Sequence, residues 1–187
     1  MIAYAITDPS TLNFNTLVND IQHFAQKADM IVYRDKSTRN YAQNAKLFIR
    51  EAKKHAFSKV LLHRDYRLAY ELGADGVHLT STQFDEIKNA KSLGLFVVIS
   101  THSLKEACDA SAKGVDMITL SPIFDTPNKG KAKGLEFLLN VANFVDMPII
   151  ALGGILTQNH IDACEEHGAK GFASIRYFHL VKHQAHS

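Results

Sequence analysis

The residues with the clearest chemical potential are those that could hold a phosphate group. Gly153 and Gly154 stand together in the stretch ALGGI, directly before a predicted helix. Backbone N–H groups and the helix dipole attract anions at such a position, although a tight turn explains the pair equally well. Arg176 follows a later predicted strand, and Lys129 belongs to a long polar loop over 121–134. Together these features predict a site for a phosphorylated small molecule.

Two histidines lie where predicted strands end: His63 is the last residue of one strand, and His102 comes shortly after another. An imidazole with an ordinary pKa of about 6.5 can take up and release protons, so both are candidates for proton transfer. A neutral histidine that fills a pocket would explain His63 as well, and a structural hydrogen bond would explain His102. His179, His183 and His186 approach helical spacing, but no acidic or cysteine residue accompanies them, so we predict no metal site.

These residues need a scaffold that brings the ends of their strands together. Short apolar runs alternate with amphipathic stretches eight times along the chain, a pattern typical of a parallel sheet covered by helices. We predict an α/β fold, a single small (β/α)8 TIM barrel that occupies 1–187 as a single domain. Its ligand would lie at the C-terminal ends of the strands. The predicted strands cover 2–6, 30–34, 59–63, 76–79, 95–100, 116–121, 148–152 and 171–175. The predicted helices cover 16–28, 42–55, 66–73, 84–94, 103–114, 135–144 and 157–168, and an eighth runs toward Lys182.

Composition and charge narrow the functional class. The chain has 187 residues, 46% of them hydrophobic, and a formal net charge of +2, without the basic block that a nucleic-acid site would need. No stretch reaches the roughly 20 apolar residues of a membrane span, and the N-terminus lacks a signal-peptide pattern. Cys108 and Cys164 lie apart in predicted helices, which indicates a reducing compartment. We therefore predict a cytoplasmic protein that binds neither nucleic acid nor membrane, and homo-oligomer formation stays open.

Seven short motifs, none of them specific to one family by itself, occur in a specific order and spacing. They are YAITD (4–8), YRDK (33–36), LAYELGADGVHL (68–79), ISTHSLKEA (99–107), the run from SPIFDT to the lysine at 129 (121–129), PIIALGGI (148–155) and GAKGFA (168–173). On these motifs the chain resembles the thiamine phosphate synthase and TenI superfamily over nearly its whole length. That family consists of (β/α)8 barrels that act on the phosphorylated thiazole and pyrimidine pieces of thiamine. On the phosphate side the resemblance covers Ser100, Thr126, Lys129 and the two glycines, and it aligns Arg176 with a serine.

The family contains two activities, and this chain departs from the first. The synthase couples a pyrimidine diphosphate to a thiazole phosphate with magnesium. The resemblance implies that Arg34 and Lys36 face the substrate, but Arg64 and Gln83 stand where the family has metal-binding aspartates. Magnesium needs hard anionic oxygen ligands, so the metal site is expected to be lost. This pattern is similar to TenI, the thiazole tautomerase, which moves a proton to aromatise a thiazole carboxylate phosphate and needs no metal.

The second departure concerns the residue that moves the proton. In the tautomerase a histidine follows strand 6, whereas this chain has Pro122, as the synthase does. A proline cannot transfer a proton, so His63 or His102 would have to act instead. The leading hypothesis is an isomerase that acts on a phosphorylated thiazole without metal or other cofactor. Two alternatives stay open: a thiamine phosphate synthase that uses magnesium, and a non-catalytic barrel that binds a phosphate ligand or serves regulation.

Overall fold

Eight parallel strands close into a barrel in the order β1 to β8 in the computed structural model, which describes residues 1–179. Each strand pairs with its neighbours in the sequence, and β8 pairs with β1. The strands are β1 (Ile2–Ile6), β2 (Met30–Tyr33), β3 (Lys59–His63), β4 (Gly76–Leu79), β5 (Phe96–Thr101), β6 (Met117–Leu120), β7 (Ile149–Leu152) and β8 (Gly171–Ser174). The helices are α1 (Leu17–Ala25), α2 (Tyr41–Ala52), α3 (Tyr66–Leu72), α4 (Ile87–Ser92), α5 (Leu104–Ala112), α6 (Leu135–Ala142) and α7 (Gln158–Glu166). The prediction of an α/β TIM barrel is confirmed.

Side chains alternate between the two faces of each strand, and this alternation builds two cores. Inward residues such as Tyr4, Val32 and Leu61 pack together inside the barrel. Outward residues such as Ile31 and Leu62 pack against the helices. Burial on both faces explains why the strands read as nearly continuous apolar runs. A polar residue on the inward face near a C-terminal strand end therefore faces the mouth of the barrel.

Local capping signals set the starts and ends of several helices. Asp65, Ser103 and Thr157 precede α3, α5 and α7, and each side chain accepts a hydrogen bond from a backbone N–H of the first turn. Gly73 ends α3 in the left-handed conformation, at φ 74°. The three N-caps fix where these helices begin, and Gly73 ends α3 so that a short loop returns the chain to β4.

The predicted elements agree with the structure to within three residues at their ends, except at two places. The stretch predicted as one helix over 84–94 is a short 3-10 helix at Phe84–Glu86 followed by α4. Gln83, which precedes it, makes no side-chain cap because its amide is bonded elsewhere. Within residues 1–179 no eighth helix forms, since 175–179 consists of bends and turns. The rest of the helix predicted toward Lys182 falls outside the described residues.

Candidate functional site

A cavity of about 340 Å³ opens at the C-terminal ends of the strands. Every residue that the sequence singled out for phosphate binding, substrate binding or catalysis lines this cavity. They are Arg34, Lys36, His63, Ser100, His102, Thr126, Lys129, Gly153, Gly154 and Arg176. Parallel strands bring their C-terminal ends to one rim, which explains why residues so far apart in sequence meet here. The roles assigned to these residues stay predictions.

The wall of this cavity is cationic. Four of its side chains are lysine or arginine, and among the described residues no aspartate or glutamate lines it. Nearby positive charge lowers the pKa of Lys36, with Arg34 as the largest cause, followed by burial and by Lys129 and Arg64. Cations held this close repel one another, and an anionic ligand would relieve that repulsion. The cavity is therefore suited to a phosphate or a carboxylate.

The glycine pair has a structural role beside its predicted one. Gly153 and Gly154 adopt φ 107° and 67°, a region that other residues rarely occupy. A Cβ on Gly153 would lie 2.8 Å from the Cα of Pro122. The loop after β6 is also bonded to this turn, because the Phe124 N–H donates to the Gly153 carbonyl over 3.0 Å. The glycines thus let the loop over 121–134 lie directly against the end of β7.

His102 is oriented by the loop that follows β6. Its Nδ1 lies 3.0 Å from the carbonyl oxygen of Ser121 and 3.2 Å from the Ser121 hydroxyl oxygen. The backbone N–H of His102 donates to the Glu106 carboxylate over 2.9 Å. A carbonyl oxygen can only accept, so the contact with the Ser121 carbonyl favours the tautomer with its proton on Nδ1, in which Nε2 has a lone pair. His102 is exposed and can present that lone pair to a ligand in the cavity.

His63 and His78 lie side by side at the ends of β3 and β4. The two residues are in register, and their ring centroids are 6.2 Å apart in an edge-to-face arrangement. Burial lowers the pKa of His63 to about 2, with further contributions from His78, Arg34, Lys36 and Arg64. Burial also lowers the pKa of His78 to about 3, with Arg34 as the second cause. Both rings are therefore neutral at physiological pH.

The sequence reasoning missed His78, which was assigned only to a strand. Its Nδ1 lies 2.8 Å from the hydroxyl of Tyr4, and its Nε2 lies 3.0 Å from the hydroxyl of Ser100. Strand alternation was the signal that could have found it: counting back from the rim in GVHL places this histidine on the inward face. A polar residue at an inward position of an otherwise apolar strand needs partners inside the barrel.

Arg64 and Gln83, which stand at the two aspartate positions of the family, do not form a cation site. The buried Gln83 amide donates to the Arg64 carbonyl over 3.0 Å and to the Glu86 carboxylate over 2.7 Å. Its amide oxygen accepts from the backbone N–H of Thr80 over 2.9 Å. Across residues 1–179 no group of three or more histidine, cysteine, aspartate or glutamate side chains could hold a metal ion. The residues present do not fit the magnesium that a synthase reaction implies.

The remaining polar residues that line the cavity differ in how firmly they are held. The Thr126 hydroxyl donates to the Phe124 carbonyl over 3.1 Å, so its proton is used within the loop. Lys129 and Arg176 are exposed at the cavity edge. Ser174, which ends β8, is buried and donates to the Ile155 carbonyl over 3.1 Å, so it ties two rim loops together.

The fold and the cavity define this protein as an α/β TIM barrel of eight parallel strands with a cationic cavity at the C-terminal rim. Residues 3–178 match the model of the thiamine monophosphate synthase family. The chain belongs to that family, the thiamine phosphate synthase and TenI superfamily, as its motifs predicted.

Three comparisons illustrate the relationship. The chain is 34% identical to a putative thiamine-phosphate synthase 2 of Aquifex aeolicus over 180 residues, which cover 94% of this chain and 96% of that protein. It is 32% identical to a thiamine-phosphate synthase of Methanoculleus marisnigri, with 92% of this chain and 84% of that protein covered. Its fold is similar to that of a thiamine phosphate pyrophosphorylase from Pyrococcus furiosus, with a TM-score of 0.78 and 26% identity over 94% of this chain and 85% of that chain. Within the described part of the chain, no helix has the length and apolar character required to cross a membrane.

Proposed function

We propose that this protein acts on a phosphorylated thiazole in thiamine biosynthesis and moves a proton on it without a metal ion, as a TenI-like thiazole tautomerase. The observation that carries this proposal is the cavity wall, which combines four cationic side chains with histidines and, among the described residues, has no carboxylate. A ligand that bears both a phosphate and a carboxylate would find positive partners for each. Membership of the family supports the substrate class.

The phosphate would lie between the glycine turn and the exposed cations at the rim. Gly153 and Gly154 would offer backbone N–H groups, and Lys129 and Arg176 would supply charge. Ser100 would add a hydroxyl from the end of β5. Arg34 and Lys36, on the far side of the same cavity, would then bind the carboxylate of the ring.

His102 is the proposed proton carrier. Its Nδ1–H is bonded to the carbonyl of Ser121, which leaves Nε2 free to take a proton from one ring position and return it to another. That carbonyl belongs to the residue before Pro122, so the imidazole stands next to the position that the tautomerase fills with its histidine. His63 is a poorer base, because its pKa is lowered to about 2, and it would hydrogen-bond the ring instead.

A turnover assay with the thiazole carboxylate phosphate tests the proposal. We expect aromatisation of the ring to continue in the presence of a metal chelator and to fall about 100-fold or more in His102→Gln. The matched control is His167→Gln, since the ring of His167 also bonds a backbone carbonyl, that of Ala163 at 2.7 Å, but does not line the cavity. Equal activity of the two variants would remove His102 from the mechanism. Tight binding without any turnover would identify a ligand-binding barrel instead of an enzyme.

The second candidate is thiamine phosphate synthase activity, and the names of the relatives favour it over the tautomerase. The residues at the two aspartate positions of the family argue against it, because Arg64 and Gln83 provide no carboxylate for magnesium. A coupling assay with pyrimidine diphosphate, thiazole phosphate and magnesium decides between the two. Product formed by the unmodified protein would establish the synthase. Activity that appears only after Arg64→Asp and Gln83→Asp would show that the chain has lost that reaction.

A further inference from the structure

A hydrogen-bonded chain runs through the inside of the barrel from β1 to the cavity. The Tyr4 hydroxyl lies 2.8 Å from Nδ1 of His78, and Nε2 of His78 lies 3.0 Å from the Ser100 hydroxyl. Tyr4 is fully buried, whereas His78, which is 4% exposed, and Ser100 both line the cavity. Tyr4 does not line the cavity, so any effect it has on a ligand must pass through His78.

The direction of the protons along this chain follows from burial. Among the described residues the Tyr4 hydroxyl has no hydrogen-bond partner other than His78. If Nδ1 carried a proton and donated it to this hydroxyl, the tyrosine proton would be left without an acceptor in the core. A buried unpaired donor costs the full desolvation free energy of that group, so Tyr4 donates to Nδ1.

The rest of the assignment follows from the neutral state of the ring. Burial raises the pKa of Tyr4 well above its ordinary value and lowers that of His78 to about 3, so the phenol stays protonated and the imidazole neutral. With Nδ1 accepting, the single ring proton is on Nε2 and is donated to the Ser100 oxygen. The Ser100 proton is then directed away from His78 and into a cavity whose described wall contains no carboxylate.

We propose that His78, held by Tyr4, is a positioning residue that fixes Ser100 as a hydrogen-bond donor to an oxyanion of the bound ligand. This inference rests on the proposed function for the identity of the ligand, a thiazole phosphate. It adds Tyr4, which does not line the cavity, and gives His78 a role that is exerted through the Ser100 hydroxyl. It also excludes Ser100 as a nucleophile, because a serine that accepts from His78 has no base to take its proton.

A double-mutant cycle on ligand affinity tests the proposal. The dissociation constant of a thiazole phosphate is measured by calorimetry, with inorganic phosphate as a second probe. We expect Ser100→Ala to weaken binding about tenfold or more, because it removes a hydrogen bond to a charged group. His78→Phe should weaken binding about threefold or more, and it should cause no further loss in the Ser100→Ala background. Losses that simply add would overturn the proposal.

Two conservative variants separate positioning from a general effect on folding. His78→Gln keeps an N–H that can reach Ser100, so it should restore much of the affinity that His78→Phe loses. Tyr4→Phe removes only the hydroxyl and should weaken binding, whereas Tyr70→Phe, at an exposed position, should not. If His78→Phe does not fold, the same cycle is run with Tyr4→Phe. Affinity unchanged in Tyr4→Phe would refute the role of the tyrosine.

Nitrogen-15 NMR of the histidine rings gives a readout that does not depend on activity. We expect His78 to carry its proton on Nε2 and to stay neutral across the physiological pH range, and a proton on Nδ1 would overturn the assignment. The outcomes remain distinguishable from those of the proposed function. If the losses of binding are coupled and no turnover is seen, the positioning role of His78 is supported and the tautomerase is rejected. If turnover is seen and the losses of binding are additive, the tautomerase is supported and the positioning role of His78 is rejected.

Discussion

Replacement of Gly154 by alanine should both destabilise the protein and displace the loop over 121–134, which forms part of the cavity wall. This glycine adopts φ 67°, and a Cβ there would lie 2.5 Å from the carbonyl oxygen of Asp125 and 2.8 Å from the Cβ of Phe124. Neither contact can be relieved by rotating the end of a flexible side chain. The Asp125 oxygen belongs to the backbone, and the Phe124 Cβ is bonded directly to the Cα of its own residue. The loop over 121–134 would have to move away from the end of β7.

The magnitude follows from two contributions, and a matched control separates them. A left-handed conformation costs a non-glycine residue about 1–2 kcal/mol, and forcing an extra carbon into a packed region costs about 1–3 kcal/mol. Gly73 has nearly the same φ, 74°, but a Cβ there would meet no atom within 4 Å. We therefore expect Gly73→Ala to lower the free energy of unfolding by about 1–2 kcal/mol. Gly154→Ala should lower it by about 2–5 kcal/mol.

Urea denaturation of both variants measures these free energies, and calorimetry with a thiazole phosphate measures the effect on the site. Gly154→Ala should weaken ligand binding because the displaced loop carries Lys129 and Thr126 at the cavity wall. Gly73→Ala, at the end of α3, should leave binding unchanged. Equal losses of stability in the two variants would refute the close approach of the loop to Gly154, and unchanged binding in Gly154→Ala would separate the loop from the ligand site.

Three further predictions address charge and buried hydrogen bonds. Below about pH 6.5 the unfolded chain binds a proton at His78 that the native protein excludes, so between about pH 6.5 and pH 3 this histidine should lower the free energy of unfolding by up to about 1.4 kcal/mol per pH unit, in addition to a contribution of the same sign from His63. His78→Gln should flatten that slope in urea titrations, and an unchanged slope would contradict a neutral buried ring. Gln83→Glu should lower the free energy of unfolding by about 1–3 kcal/mol, because a carboxylate cannot make its two donated hydrogen bonds, whereas the exposed Gln26→Glu should have little effect. Arg176→Ala should weaken phosphate binding about tenfold relative to Arg50→Ala on the outside of α2, and equal affinities in calorimetry would exclude Arg176 from the site.

Much of this protein could be predicted from the sequence because its signals are local. Each strand is a short apolar run, and each helix has an amphipathic repeat with a cap or a glycine near its end, as Asp65 and Gly73 show for α3. Once eight such units are assigned to a parallel barrel, the residues that follow the strands must share one rim. That geometric consequence placed Arg34, His63 and Arg176 at a single cavity without any knowledge of their contacts.

Other features were decided only by the tertiary structure, because they depend on contacts between residues distant in sequence. Tyr4 and His78 are 74 positions apart, and their hydrogen bond exists because β1 and β4 project side chains into the same barrel interior. The sequence marks Gln83 only as a departure from the family, whereas in the structure its amide bonds the exit of β3 to the exit of β4. The proton on His102 is likewise set by the carbonyl of Ser121 on the neighbouring loop. Residue types can name candidates for chemistry, but the partner of each polar group fixes its tautomer, its pKa and its direction, and that partner is determined by the packing of the whole barrel.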